Sequence, residues 1–244
     1  MDLVVIVVAI GVGAFVKGVT GTGLPQIAIP VMAALLGVER AVVIMAIPGI
    51  VSNAWLVWAN RSALGDTRDL PSLTVTGVVG SVVGTILLTT VDGRILSIVL
   101  ATVILGYVAV VTLHPRMSLP PTWSRYLSPP VGLAAGGLQG ATGVSGPLLS
   151  TYLHGFGLVP RAYVLSLAAL FLVFSSVQVA TLAALGLYTG DRIRDSLLAL
   201  VPIAVMLPWG HRVSSRLPAH VFRLIVLVGL VITAVVLVVG AVDA

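Results

Sequence analysis

Lys17 is the only lysine in the chain, and it opens a glycine-rich stretch set inside apolar sequence, Lys17-Gly18-Val19-Thr20-Gly21-Thr22-Gly23-Leu24-Pro25. A second stretch, Gln139-Gly140-Ala141-Thr142-Gly143-Val144-Ser145-Gly146-Pro147, repeats the pattern. The chemistry on offer is recognition of an anion. Glycines allow unwound backbone, which is tolerated at membrane depth only where protein or a water-filled cavity surrounds it. Pro25 and Pro147 suit the first turn of a following half-helix, where a missing N–H is harmless. Each half-helix would then present backbone N–H groups and a positive dipole end to the break. Thr20, Thr22, Thr142 and Ser145 add hydroxyl donors, Gln139 adds an amide, and Gly18, Gly21, Gly23, Gly140, Gly143 and Gly146 let backbone approach a ligand. A lysine at a helix centre costs about 2.5 to 3.5 kcal/mol on insertion scales, and no Asp or Glu lies within an apolar span to neutralise Lys17. A bound anion would be its counter-ion. The structural alternatives are a lysine that snorkels to the interface or sits neutral in a wet cavity, and glycines that only let helices pack closely.

Other polar residues in apolar sequence are weaker leads. Asn53, beside Ser52, and Gln178, near Ser175 and Ser176, occupy comparable places in the two halves. They can line a cavity or serve as interhelical hydrogen-bond glue. His154 can carry a proton or simply bond a neighbouring helix, and the remaining histidines show no ligand spacing, so no metal or other cofactor is expected. Enzyme chemistry is not expected either. The chain has no His-Glu-x-x-His, no Walker loop and no intramembrane carboxylate pair. Gly143-Val144-Ser145-Gly146-Pro147 differs from a nucleophile elbow in its final proline.

The elements that must position these residues follow from composition and span length. With 58% hydrophobic and 9% charged residues and a mean hydropathy of +1.15, the chain reads as an all-α polytopic membrane protein. Its net charge of +5 comes from arginines dispersed singly in connectors, which argues against nucleic acid. Met1-Asp2 and the following apolar run lack the basic region and cleavage site of a signal peptide and read as mature structure. Apolar spans fall near 3–16, 24–36, 41–59, 71–91, 95–113, 129–138, 147–157, 162–187, 196–209 and 221–242. A crossing helix needs roughly 20 residues. The spans flanking each break are too short for that. The segment 114–130, rich in proline, separates a first repeat, 1–113, from a second, 131–244. Gly18, Thr20, Gly21 and Pro25 match Gly140, Thr142, Gly143 and Pro147 at a constant offset; Arg40-Ala41 then matches Arg161-Ala162, Gly65-Asp66 matches Gly190-Asp191, and Gly84 matches Gly210.

Arginine placement decides how the broken segments sit. If each is one kinked crossing helix, Arg40, Arg94, Arg161, Arg212, Arg216 and Arg223 face one side and Arg61, Arg68, Arg116, Arg125, Arg192 and Arg194 the other, with no bias. If each is a re-entrant V, Arg61, Arg68, Arg116, Arg125, Arg161, Arg212, Arg216 and Arg223 share one side, against Arg40, Arg94, Arg192 and Arg194. Only the V arrangement satisfies the positive-inside rule. Each half then holds one V and three crossings, so the second half is inverted and the two breaks meet, with both termini outside the cytoplasm.

Gly136-Gly137-Leu138 leading into the second glycine stretch, the first copy at Gly18 to Pro25, the chain length and the two-half layout resemble the sulfite exporter TauE/SafE family. The resemblance covers essentially the whole chain. The first stretch departs from the family pattern at Thr22 and Leu24. The resemblance implies a secondary transporter, an exporter of small sulfur-containing oxyanions such as sulfite, thiosulfate or organosulfonates like sulfoacetate, in the bacterial inner membrane. An anion channel and a non-transporting membrane subunit or scaffold are the alternatives.

Overall fold

The computed structural model describes residues 2–20, 23–113 and 120–214, together with Val231 and Val235. Among them all regular structure is helical: α1 Asp2–Thr20, α2 Leu24–Leu36, α3 Val38–Asn60, α4 Leu70–Thr90, α5 Gly93–Leu113, α6 Ser124–Thr142, α7 Gly146–His154, α8 Pro160–Ala184, α9 Gly190–Leu198 and α10 Leu200–Ser214, with 3-10 turns at Arg61–Asp66 and Pro121–Trp123. Four stretches, Val38–Asp66, Leu70–Thr90, Pro160–Ala184 and Gly190–Gly210, are long and apolar enough to cross a bilayer. Of the span expected at 221–242, only Val231 and Val235 lie among the described residues, and both are helical.

Both glycine stretches are helical over their first four residues. Helix α1 runs through Lys17 to Thr20, and α6 runs through Gln139 to Thr142. The interruptions are therefore short. After the second, Gly143 closes α6 at φ +71, and after the first, Gly23 precedes α2 at φ +106; left-handed backbone of this kind favours glycine at both points. Helix α6 also starts at Ser124, inside the stretch expected to be linker, and continues through Pro129 and Pro130. Each proline removes one intrahelical hydrogen bond. The long contact of α6 with α4 holds the helix through that loss.

That contact is made of glycine. A Cβ added at Gly80 would lie 2.1 Å from the Leu133 carbonyl, at Gly84 2.1 Å from the Gly137 carbonyl, and at Gly136 2.0 Å from the Gly77 carbonyl. The two backbones touch, which in lipid is the main source of helix association. Helices α1 and α10 meet in a related way, with a Cβ at Gly210 falling 2.2 Å from the Phe15 carbonyl and 3.2 Å from the Gly18 Cα. Under the residue correspondence read from sequence, Gly18 with Gly140 and Gly84 with Gly210, these two crossings exchange with one another, and the pairing of α3 with α8 maps onto itself. Helix α2 folds back on α1, so that a Cβ at Gly13 would sit 2.8 Å from the Leu24 carbonyl.

Polar contacts tie the helix ends together. At the α2–α3 junction, Arg40 Nη2 lies 3.2 Å from Asp195 Oδ2, and Glu39 Oε1 lies 2.8 Å from Arg192 Nη2. Tyr188 donates to the Val43 carbonyl at 3.4 Å, and burial pushes its phenol up to about 12. Elsewhere, the Tyr152 hydroxyl donates to Asp69 Oδ2 at 2.7 Å, Arg68 stacks 5.0 Å over the Phe156 ring, and Ala63 packs on Ala162 and Leu165.

Candidate functional site

The last turn of α1 carries Lys17, and α3 brings Ser52 and Asn53 against it. Lys17 Nζ donates to Ser52 Oγ at 3.0 Å and to Asn53 Oδ1 at 2.5 Å. Its side chain is 1% exposed. An ammonium has three donors, so one remains beyond these two bonds. Both acceptors are neutral, and among the described residues no carboxylate pairs with Lys17.

The second half builds the corresponding place from amides. Gln178, on α8, donates through Nε2 to the Gln139 carbonyl at 2.8 Å and the Gly140 carbonyl at 3.0 Å. Gly143 N already donates to the Gln139 carbonyl at 2.8 Å, so Gln178 adds a second donor there and caps the Gly140 carbonyl at the end of α6. Gln139 Nε2 points to Gln178 Oε1 at 3.5 Å, and Gln139 Oε1 accepts from Ser145 Oγ at 2.9 Å. In each half, a side chain on the long helix after the break reaches the residue that opens the glycine stretch.

Both clusters line one cavity. Its polar wall is Lys17, Asn53, Gln139, Ser175 and Gln178; its apolar wall is Ile29, Met45, Ala46 and Phe171; Pro25, Gly49 and Gly143 complete it. The only ionisable side chain among these is Lys17. Of the residues singled out by sequence, Lys17, Asn53, Gln139, Gly143 and Gln178 thus come together at one place.

The other expected site residues among those described stand apart from that lining. The Thr142 hydroxyl donates to the Leu138 carbonyl at 2.7 Å and accepts from Val144 N at 3.3 Å. Ser145 is committed to Gln139. The glycines serve contacts between helices: Gly140 meets the Ser81 carbonyl, Gly18 meets α10, and Gly23 turns the backbone into α2. Gly21 and Thr22 lie outside the described residues, as does the Thr20 side chain. His154 is exposed at the end of α7 and is not part of the cavity wall.

Two residues of α2 escaped the sequence reading. A Cβ at Gly146 would lie 1.9 Å from Gln26 Nε2, and one at Gly143 would lie 2.3 Å from Ile29 Cδ1. The helix after the first break therefore packs directly on the second break. The signal for Gln26 was present, as a polar residue directly after Pro25 in an otherwise apolar span. Ile29 gave none.

The model of the family described as sulfite exporter TauE/SafE matches residues 5–237. The chain belongs to the sulfite exporter TauE/SafE family. TauE/SafE proteins are membrane transporters of sulfite-type anions, and this chain, with its several apolar spans, is a multi-pass membrane protein. No curated protein and no solved structure matches it.

Proposed function

We propose that this TauE/SafE protein is a secondary transporter that holds a small sulfur-containing oxyanion, such as sulfite, thiosulfate or an organosulfonate, in the cavity between Lys17 and Gln139. The observation that carries this is Lys17 itself: a lysine 1% exposed whose bonded partners are two neutral oxygens. Burying an ammonium without a counter-charge costs several kcal/mol, and an oxyanion at the third N–H offsets that cost. With the Gln178 Nε2 hydrogens committed to the Gln139 and Gly140 carbonyls, the Gln139 Nε2 and the Ser175 hydroxyl supply the further polar atoms on the cavity wall.

The two halves are inverted repeats, each a re-entrant V followed by three crossings, with the boundary at 114–130. Ion pairing supports this topology. Arg40 and Arg192 lie at one end of the molecule through Asp195 and Glu39, whereas single kinked helices would send these arginines to opposite sides of the membrane. The fold-back of α2 on α1 at Gly13 favours a V as well. Alternating access then follows from rocking of one half against the other about the cavity. In a bacterial inner membrane, an inside-negative potential favours anion efflux by about 2.3 kcal/mol per charge per 100 mV. Export needs no coupled carboxylate.

Counterflow in proteoliposomes tests the function. Vesicles preloaded with unlabelled sulfite or sulfoacetate should accumulate the labelled anion transiently and saturably. Linear, non-exchanging flux would indicate a channel, and no anion-dependent flux would overturn the transport reading.

A further inference from the structure

Aligning Gly84 with Gly210 places Arg68-Asp69 on Arg194-Asp195, and the Arg40-Ala41 pair falls on Arg161-Ala162. The chain therefore carries two equivalent arginine–aspartate combinations, each setting an arginine that follows a V against an aspartate of the other half, Asp195 within α9 or Asp69 just before α4. One is formed. Asp195 is 3% exposed, and Arg40 pairs with it at 3.2 Å. The other is not. Asp69 instead accepts the Tyr152 hydroxyl at 2.7 Å, while Arg161 is exposed and, among the described residues, makes no ion pair. The residue after it, Ala162, packs with Ala63 in the 3-10 turn six residues before Asp69, so the two chain segments meet.

We propose that Arg40–Asp195 and Arg161–Asp69 are alternating latches, the first closing one end of the cavity in the conformation described and the second closing the opposite end when the carrier turns over. This rests on the inverted-repeat carrier reading above. Electrostatics makes such an exchange workable. Opening one end exposes Arg40 and Asp195 to water while the same pair chemistry forms at the other end, so the two states stay close in energy and neither traps the carrier. Asp69 can change partner because a guanidinium gives a carboxylate a stronger, charge-assisted bond than a neutral phenol does. Tyr152 then acts as the resting partner of Asp69.

The cysteine-free sequence allows a direct test. The double variants Asp69→Cys/Arg161→Cys and Arg40→Cys/Asp195→Cys would be treated in proteoliposomes during counterflow with a reducible bifunctional thiol cross-linker long enough to replace an arginine side chain, which spans more than a disulfide can, and cross-linking read by mass spectrometry of the digested protein. Each pair should cross-link, each cross-link should stop transport, and reductant should restore it. A charge swap guards against simple misfolding: Asp69→Arg and Arg161→Asp alone should each slow counterflow at least about tenfold, since each sets like charges together, and the two combined should recover most of the rate. Absence of the 69–161 cross-link during turnover, or no recovery in the swap, overturns the proposal. Failure of the transport reading looks different, since wild-type vesicles would then show no counterflow while cross-linking at 40–195 still reports the structure.

Discussion

Replacing Gly143 by alanine tests how the second break is held. Two separate strains are expected. Gly143 sits at φ +71, where an L-residue costs about 1 to 2 kcal/mol. The new methyl would also lie 2.3 Å from Ile29 Cδ1, and overpacking of that kind costs about 1 to 3 kcal/mol. Gly143→Ala alone should therefore destabilise the protein by about 2 kcal/mol or more. Ile29→Val removes the offending atom, after which the nearest carbons, Ile29 Cγ1 and Val42 Cγ1, lie 3.7 Å away, an ordinary contact. Alone, Ile29→Val should cost about 0.5 to 1.5 kcal/mol. In the double variant the backbone strain stays and the clash disappears, so the two changes should couple favourably by at least about 1 kcal/mol. Unfolding of the four proteins in detergent closes the cycle. Additivity within about 0.5 kcal/mol would refute the direct contact between α2 and the second break.

Three further outcomes are expected. Gln178→Leu should destabilise the protein by about 1 to 3 kcal/mol, because the Gly140 carbonyl loses its buried donor while the Gln139 carbonyl keeps only Gly143 N, and thermal unfolding reads this directly. Lys17→Met should leave the unliganded protein as stable as wild type or more so, because loss of a bond to Asn53 Oδ1 is outweighed by removal of a buried ammonium; a clear drop in unfolding temperature would show that Lys17 is structural. Gly65→Cys and Gly190→Cys, both at positions where a side chain meets open space, should react with an impermeant thiol reagent from opposite sides of the membrane, Gly190→Cys from outside. Labelling of both from outside would exclude the V topology.

Much of the architecture was written in local pattern. Helix α2 spans the apolar stretch 24–36 that Pro25 opens, and Asn53 and Gln178 were visible as polar residues at matching places in two apolar halves, though not that they bond Lys17 and Gln139. What pattern could not supply was contact between distant segments. Ile29 is one apolar residue among many, and only the folded chain brings it to Gly143. The role given to glycine shifted for the same reason. Sequence shows that glycine permits close approach, but whether a ligand or another helix makes that approach is a tertiary matter, and at Gly140 it is α4. Proline was overweighted, since Pro129 and Pro130 break a helix that stands alone but not one held along its length by α4. The Arg40–Asp195 pair was missed because topology rules weigh basic residues and give acidic ones little say.

Anion binding at Lys17 is the point on which the account turns, and a ligand-induced melting titration measures it most directly. Purified wild type, Lys17→Met and Lys17→Arg would each be titrated with sulfite, thiosulfate, sulfoacetate, sulfate and chloride. At least one sulfur oxyanion should raise the wild-type melting temperature with a saturable dose dependence. Lys17→Met should weaken that binding by at least about 1.5 kcal/mol, the lower end for a hydrogen bond to a charged group, which is about tenfold in affinity. Lys17→Arg should also be impaired, since a planar fork does not replace a compact ammonium between Ser52 and Asn53. Equal anion affinity in wild type and Lys17→Met would contradict the account.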